Sequence, residues 1–286
     1  FGNNSILKLR ASWGRSGNND IGNYNFIQVM SSPEGAVFGN GSLAPAMYPL
    51  DFKDEYLGWE STSQFNTGAD LSLFNGRLAV SANYYNSLTF DLLFDQTISA
   101  LSGSTKMLTN LRESKIRNRG FDLQLDGRIL AHKDYDLTIG ANTSANRNKV
   151  LDLGGASTII TNGAERSYKT HITMEGQPIG MFYGFKVLGI VRESDMANIA
   201  EDDKHYNEAT KSFPEGYKLK GPARSLSQSI KLQPGDLYFE DVNGDGVVDD
   251  DDKAIIGSPH PDFIFGININ GRYKNIDLSA SFNGSV

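Results

Sequence analysis

The 286-residue chain contains no cysteine, which removes disulfide frameworks, thiolate zinc sites and cysteine nucleophiles together. Long apolar runs are missing too. The uninterrupted stretches are a few residues, far short of the roughly 20 that a membrane-spanning helix needs, so a helical membrane protein is excluded. A membrane β-barrel is untouched by that argument, because its strands alternate and escape hydropathy. Cationic excess is also lacking: 27 Lys and Arg stand against 34 Asp and Glu, a net of −7. No stretch gathers them into a basic stripe, so nucleic acid is not an expected partner. The four histidines, His132, His171, His205 and His260, are scattered and read as loop or surface residues. No G-x-S-x-G, P-loop, G-x-G-x-x-G or H-E-x-x-H occurs, so no catalytic residue is expected and the chain is not read as an enzyme. Phe1-Gly2-Asn3-Asn4 is neither a signal peptide nor an initiator start, and reads as the beginning of a segment.

What is present is period-two alternation over unusual lengths. From Arg77, the even positions run Leu78, Val80, Ala82, Tyr84, Asn86, Leu88, Phe90 and Leu92, against Ala79, Ser81, Asn83, Tyr85, Ser87, Thr89 and Asp91. Phe121, Leu123, Leu125 and Ile129 alternate with Asp122, Gln124, Asp126 and Arg128. The pattern recurs in Leu7 to Trp13, Phe65 to Leu73, Tyr135 to Ala141, Phe263 to Tyr273 and Ile276 to Phe282. Each run predicts a strand with one apolar and one wet face. Runs of 9 to 16 residues suit a tilted membrane strand of about 9–11 residues better than a soluble strand of about 5–6. Tyr84, Tyr85, Phe90, Phe94, Tyr135 and Tyr273 suit aromatic girdles, although aromatics favour any strand.

The turns fall into two sorts. Asn75-Gly76 suits a type I′ hairpin, and Ala131 to Asp134 and Tyr273-Lys274-Asn275 are equally short. Between Gly14 and Gly58, Gln96 and Asn110, Val150 and Gly180, and Arg192 and Pro234 lie polar segments too long for hairpin loops. Short turns at one end and long loops at the other match a transmembrane barrel with short periplasmic turns and long extracellular loops. A soluble Greek-key sandwich also mixes loop lengths, and pattern alone leaves it open.

One segment has the spacing of a calcium loop. Asp241, Asn243, Asp245, Asp249 and Asp252 occupy positions 1, 3, 5, 9 and 12, with Gly246 at 6 and a backbone carbonyl expected from Val247. Asp252 replaces the usual bidentate Glu, and the flanks Leu237 to Glu240 and Ala254 to Ile256 read as strands. A weak structural Ca2+ site and a self-ordering cluster of Asx turns both fit. No other cofactor is implied.

Several segments, taken in order, resemble one family. Leu7-Lys8-Leu9-Arg10-Ala11-Ser12-Trp13-Gly14-Arg15-Ser16-Gly17-Asn18 is similar to its L-K-L-R-A-S-[YW]-G-x-[ST]-G-N strand. Trp59-Glu60-Ser61-Thr62, with Gly68 to Leu78, is similar to its W-E-x-T…G-x-D hairpin. Asn118-Arg119-Gly120-Phe121-Asp122, Asn146-Arg147-Asn148-Lys149-Val150 and Gly176 to Gly184 follow, with Asp122 where Glu is commoner. Pro234-Gly235-Asp236, the 241–246 stretch and Ile256-Gly257-Ser258-Pro259-His260-Pro261 complete the match. Together they resemble the SusC/RagA-type TonB-dependent outer-membrane transporters of Bacteroidetes.

That resemblance implies an all-β fold, part of a large antiparallel barrel of about 22 strands, of which this chain supplies roughly ten. Residues 1–286 read as the later part of that barrel, with plug, signal peptide and closing strands outside the sequence. Leu78, Val80, Ala82 and Leu88 would face outer-membrane lipid; Asn83, Ser87, Asp122, Gln124, Asp126 and Arg128 would face the plug or solute path. The family imports oligosaccharides, or in some members peptides, powered by TonB–ExbB–ExbD, beneath a SusD-like surface lipoprotein. Loops 96–110, 150–180 and 192–234 are the expected contacts to that lipoprotein, and loop 241–252 falls on the same side. The alternatives are a secreted β-sandwich carbohydrate-binding module, with six-residue strands, mutually buried faces and a structural Ca2+, and a passive porin.

Overall fold

Each run of alternating residues pairs with its neighbour along the chain. The computed structural model describes residues 5–286 except 23–26, 32–35, 40, 45–46, 50–51, 100, 102–103, 105, 164–167 and 226–230. Phe1 to Asn4, and parts of the four long segments, therefore lie outside the described residues. The chain divides into two compact units, one of Phe1–Thr158, Met174–Pro178 and His260–Val286, the other of Ile159–Thr173 and Ile179–Pro259.

In the first unit, seven long strands form an antiparallel meander: β1 (Ile6–Asn18), β2 (Glu60–Leu73), β3 (Leu78–Thr97), β4 (Lys106–Ala131), β5 (Tyr135–Asp152), β6 (Ile264–Tyr273) and β7 (Ile276–Ser285). Among the described residues β1 and β7 are the sheet's edges. No described helix is long and apolar enough to cross a membrane. The expected ten strands become seven here, because the strands at 181–184, 187–190, 237–239 and 254–257 are short and belong to the second unit.

Meander order sorts the connections. Residues 74–77, 132–134 and 274–275 join strands at one end. Asn75 (φ 59°) and Gly76 (φ 80°) both have the positive φ of a type I′ turn, closed by Arg77 N–H donating to the Phe74 carbonyl at 3.2 Å. Residues 19–59, 98–105 and 153–263 join strands at the other end. The 96–110 loop is shorter than expected, because β3 continues to Thr97 and β4 begins at Lys106. Their ladder slips between Phe90 and Leu92, and Asn110 fastens the irregular stretch, with its amide donating to the carbonyls of Asp91 (2.9 Å) and Gly58 (3.1 Å).

Register separates two faces. One row reads Leu7, Leu71, Val80, Leu125, Ala141, Ile267 and Phe282 across all seven strands. The next row, on the opposite face, reads Lys8, Asp70, Ser81, Gln124, Asn142, Gly266 and Asn283. The apolar face is uncovered, with Leu7, Leu9 and Trp13 58–74% exposed and Phe282 59%. A sandwich would bury such a face against a second sheet and would use strands of about six residues. These strands run 10 to 26 residues, so the sandwich reading is overturned.

The second unit replaces what the sequence reads as loops 150–180 and 192–234. Thr158–Asn162, Lys169–Met174, Met181–Gly184 and Ala254–Gly257 form one small sheet, and Val187–Ile190 pairs with Leu237–Phe239. Helix α1 (Met196–Asp202) packs Ile199 against Val191 and Leu232, with Met196 and Tyr238 around them.

Candidate solute-facing surface and acidic loop

The polar face of the meander is a hydrogen-bonded lattice of side chains. Arg10 donates to Asp70 Oδ1 (2.7 Å) and Asn83 Oδ1 (2.9 Å), and Ser81 donates to the same Asp70 oxygen at 2.8 Å. Tyr85 donates to Asn146 Oδ1 at 3.0 Å, Asn148 to Asn118 at 2.7 Å, and Gln124 to Asp126 at 2.7 Å. The Arg10–Asp70 ion pair is roughly two-fifths exposed on both sides, so solvent screens it and it adds little stability. Its consequence is positional, because it holds a charge and three acceptors in one place.

Glycines open room for these groups. Gly120 lies opposite both Tyr85 and Asn146, and an added Cβ there would meet the Tyr85 hydroxyl oxygen at 2.5 Å. The tyrosine crosses β4 through that gap. Gly140 and Gly266 leave space in the same way for Asp126 and for Asn142 and Asn283.

Of the residues read from sequence as solute-facing, Asn83, Ser87, Asp122, Gln124 and Asp126 share this face by register. Arg128 shares it too, opposite Thr138 at the tight-turn end just before a slip at Ile129, and its guanidinium grips Asp136 (Nε to Oδ2 2.7 Å). Tyr85, grouped by sequence with the girdle aromatics, instead stands on the polar face; Tyr84, opposite Phe121, is on the apolar one. Arg10, Asp70, Asn118, Asn146 and Asn148 escaped sequence reasoning. Alternation marks them as polar-face residues, but nothing local says that strands 60 residues apart bring them together.

The residues with calcium-loop spacing, Asp241 to Asp252, lie in a loop that satisfies its own backbone. Asp241 accepts from Gly244 and Gly246 N–H, both at 2.7 Å, Asn243 from Asp245 at 2.8 Å, Asp245 from Val247 at 2.8 Å and Asp249 from Asp251 at 2.8 Å. Asp252, fully buried, accepts from Val242 (2.8 Å), Asn243 (3.3 Å) and Asp249 (2.8 Å). Val247 is buried beside Val248. Gly244 (φ 79°) and Gly246 (φ 89°) provide the left-handed backbone, and Gly246 also lies close against Phe213. Lys253, 2.8 Å from Asp250, holds that carboxyl below the usual range. Among the described residues no group of three His, Asp or Glu is placed to hold a metal ion.

A parallel device lies at the end of α1. The buried Asp202 accepts from Tyr217 OH (2.8 Å), Lys220 N–H (3.0 Å) and Gly221 N–H (2.8 Å). Burial, followed by that hydrogen bond to a carboxylate, pushes the Tyr217 hydroxyl up to about 12.

Comparison with known proteins places the sheet. Residues 3–179 match a family model described as TonB dependent receptor-like, beta-barrel. The chain is 31% identical over 282 residues to TonB-dependent receptor P3 of Formosa agariphila, covering 98% of this chain and 25% of that protein. It is 24% identical over 297 residues to TonB-dependent receptor SusC of Bacteroides thetaiotaomicron, covering 99% of this chain and 25% of SusC. In fold it resembles a chain of the RagAB peptide importer in its open-open state, with TM-score 0.69, 23% identity, and coverage of 98% of this chain and 26% of that one. The chain thus spans about a quarter of the length of the relatives it matches. Matched by the family model over more than half its length, and carrying the motifs of SusC/RagA-type members in order, the chain belongs to the TonB-dependent receptor β-barrel family.

Proposed function

We propose that this chain is part of an outer-membrane transporter that imports an oligosaccharide or a peptide, working with a SusD-like surface lipoprotein and energised through TonB–ExbB–ExbD. The observation that carries the reading is the seven-strand meander, with one face apolar and exposed and the other lined by amides, hydroxyls and single charges. A closed barrel built on such a sheet satisfies every backbone group within lipid and turns its polar face to the lumen. Asn83, Asn118, Asn142, Asn146 and Asn148 supply donors and acceptors in equal measure, which fits a neutral, hydroxyl- or amide-rich solute. A passive porin is disfavoured by the family, whose members are TonB-dependent. The 98–105 connection and the 153–263 insertion, at the long-connection end, are the surfaces offered to the lipoprotein.

The test is recovery of the tagged full-length parent from native outer membranes, with mass spectrometry of what accompanies it. A stoichiometric surface lipoprotein is the expected result. Recovery from the soluble extracellular fraction, alone, would overturn the reading.

For the 241–252 loop we infer a self-ordered structure that takes Ca2+ only weakly, because metal would have to compete with backbone N–H groups for the Asp241 and Asp252 oxygens. Calorimetric titration of the chelator-treated parent is expected to show no saturation below about 10⁻⁴ M, the range of extracellular calcium modules. Micromolar saturation would contradict this.

A further inference from the structure

On the outward face, the apolar series of β5 runs Tyr135, Leu137, Ile139, Ala141, Thr143 and Ala145, ten residue steps. At about 3.4 Å per residue and a tilt of about 40°, that is about 34 Å along the strand and about 26 Å in height, which matches the roughly 25 Å apolar band of an outer-membrane barrel. The next outward residues toward the long-connection end are Arg147 and Lys149. On the adjacent β4, Phe121 is followed outward by Arg119 and Arg117. Register sets Arg119 directly opposite Arg147, and Arg117 directly opposite Lys149.

Two like-charged pairs, stacked on one face of neighbouring strands, are unfavourable on their own. Asp262 pairs with Arg147, while Arg117, Arg119 and Lys149 have no ion pair among the described residues. Lys115, one step further out on β4, is opposite the acidic Asp152 and is not counted with them. A cationic quartet at the upper rim of the apolar band, facing away from the lumen, meets the headgroups of the outer leaflet. Resting on the outer-membrane orientation proposed above, we propose that Arg117, Arg119, Arg147 and Lys149 form a binding site for the phosphate groups of an anionic glycolipid in that leaflet. Guanidinium forks match phosphate oxygens bidentately, and Lys149 adds a point charge. The bound anion removes the like-charge repulsion and holds the lipid against Phe121 and Tyr84, both more than two-fifths exposed.

The experiment uses the full-length parent, purified in detergent and incubated with phosphorylated lipid A or with its dephosphorylated counterpart, the retained lipid being counted by native mass spectrometry. Wild type is expected to retain the phosphorylated lipid selectively. The triple variant Arg117→Gln, Arg119→Gln, Lys149→Gln is expected to bind it on the order of 100-fold more weakly, at about fivefold per surface cation removed. Arg117→Lys with Arg119→Lys, which keeps the charge and loses the forks, is expected to fall between wild type and the triple variant. Equal retention of the two lipids by wild type would overturn the proposal, and that comparison decides the matter even if the triple variant fails to assemble. Absence of a heat-modifiable species from the outer membrane would instead count against the orientation on which the site rests.

Discussion

Replacing Gly120 with alanine is expected to reduce assembled full-length parent in the outer membrane by at least tenfold, and valine to abolish it. A Cβ at this position would stand closer than 3.0 Å to the Ala145 carbonyl oxygen and to the Tyr85 hydroxyl. Tyr85 can swing away, but the Ala145 oxygen belongs to the β5 backbone, and moving it opens the ladder in which Gly120 pairs with Asn146. Overpacking of this kind costs about 1–3 kcal/mol when only side chains yield, and more when a backbone must. Adding Tyr85→Ala to Gly120→Ala is expected to recover little, because the backbone contact remains. Gly14→Ala is the control, since nothing lies within 4 Å of its added Cβ. Heat-modifiable migration of the membrane fraction reads the result. Equal yields for the Gly120 and Gly14 variants would show that β4 and β5 tolerate the spacing, and that Gly120 does not set the path of Tyr85 across the strand.

Asp252→Ala is expected to unfold the 241–252 loop while leaving the long strands intact. The carboxylate is fully buried and is the acceptor for the N–H groups of Val242, Asn243 and Asp249. Removing it strands donors that water cannot easily reach, at about 1–3 kcal/mol each, so a loss of about 4 kcal/mol is expected within the second unit. Asp252→Asn keeps one acceptor oxygen but turns an amide toward a donor, and is expected to cost about half as much. Hydrogen exchange in the full-length parent checks this. Protection at Val247 and Val248, both buried within the loop, should vanish in the alanine variant, while β2 to β5 remain protected. Unchanged exchange at those two amides would mean that the loop is held by something other than Asp252.

Seven strands and their two faces were legible from residue types alone. A pleated strand turns successive side chains to opposite sides, so Leu78, Val80 and Ala82 against Ser81 and Asn83 declare the sheet without any partner in view. The tight turns were legible for an equally local reason, since Asn75-Gly76 tolerates positive φ where most residues do not. The acidic spacing from Asp241 to Asp252 announced a loop organised by its own carboxylates, although it did not say whether backbone or cation would occupy them.

The second unit was not legible, because its strands of five or six residues and fewer are too short to show a period, and its short helix α1 carries two acidic residues and only one turn of apolar contact. Register was the other thing withheld. Which residue of one strand lies opposite which of another is decided by the sum of many cross-strand contacts between segments remote in sequence, as when β5 and β6 meet across the whole 153–263 insertion. Sequence by itself therefore determined that the chain forms long two-faced strands with short turns at one end. Only the tertiary pairing decided that Tyr85 passes over Gly120 to Asn146, that Arg10 holds Asp70 and Asn83, and that four cations stand in two opposed pairs above the apolar band, because each depends on a distance between strands that no local run of residues encodes.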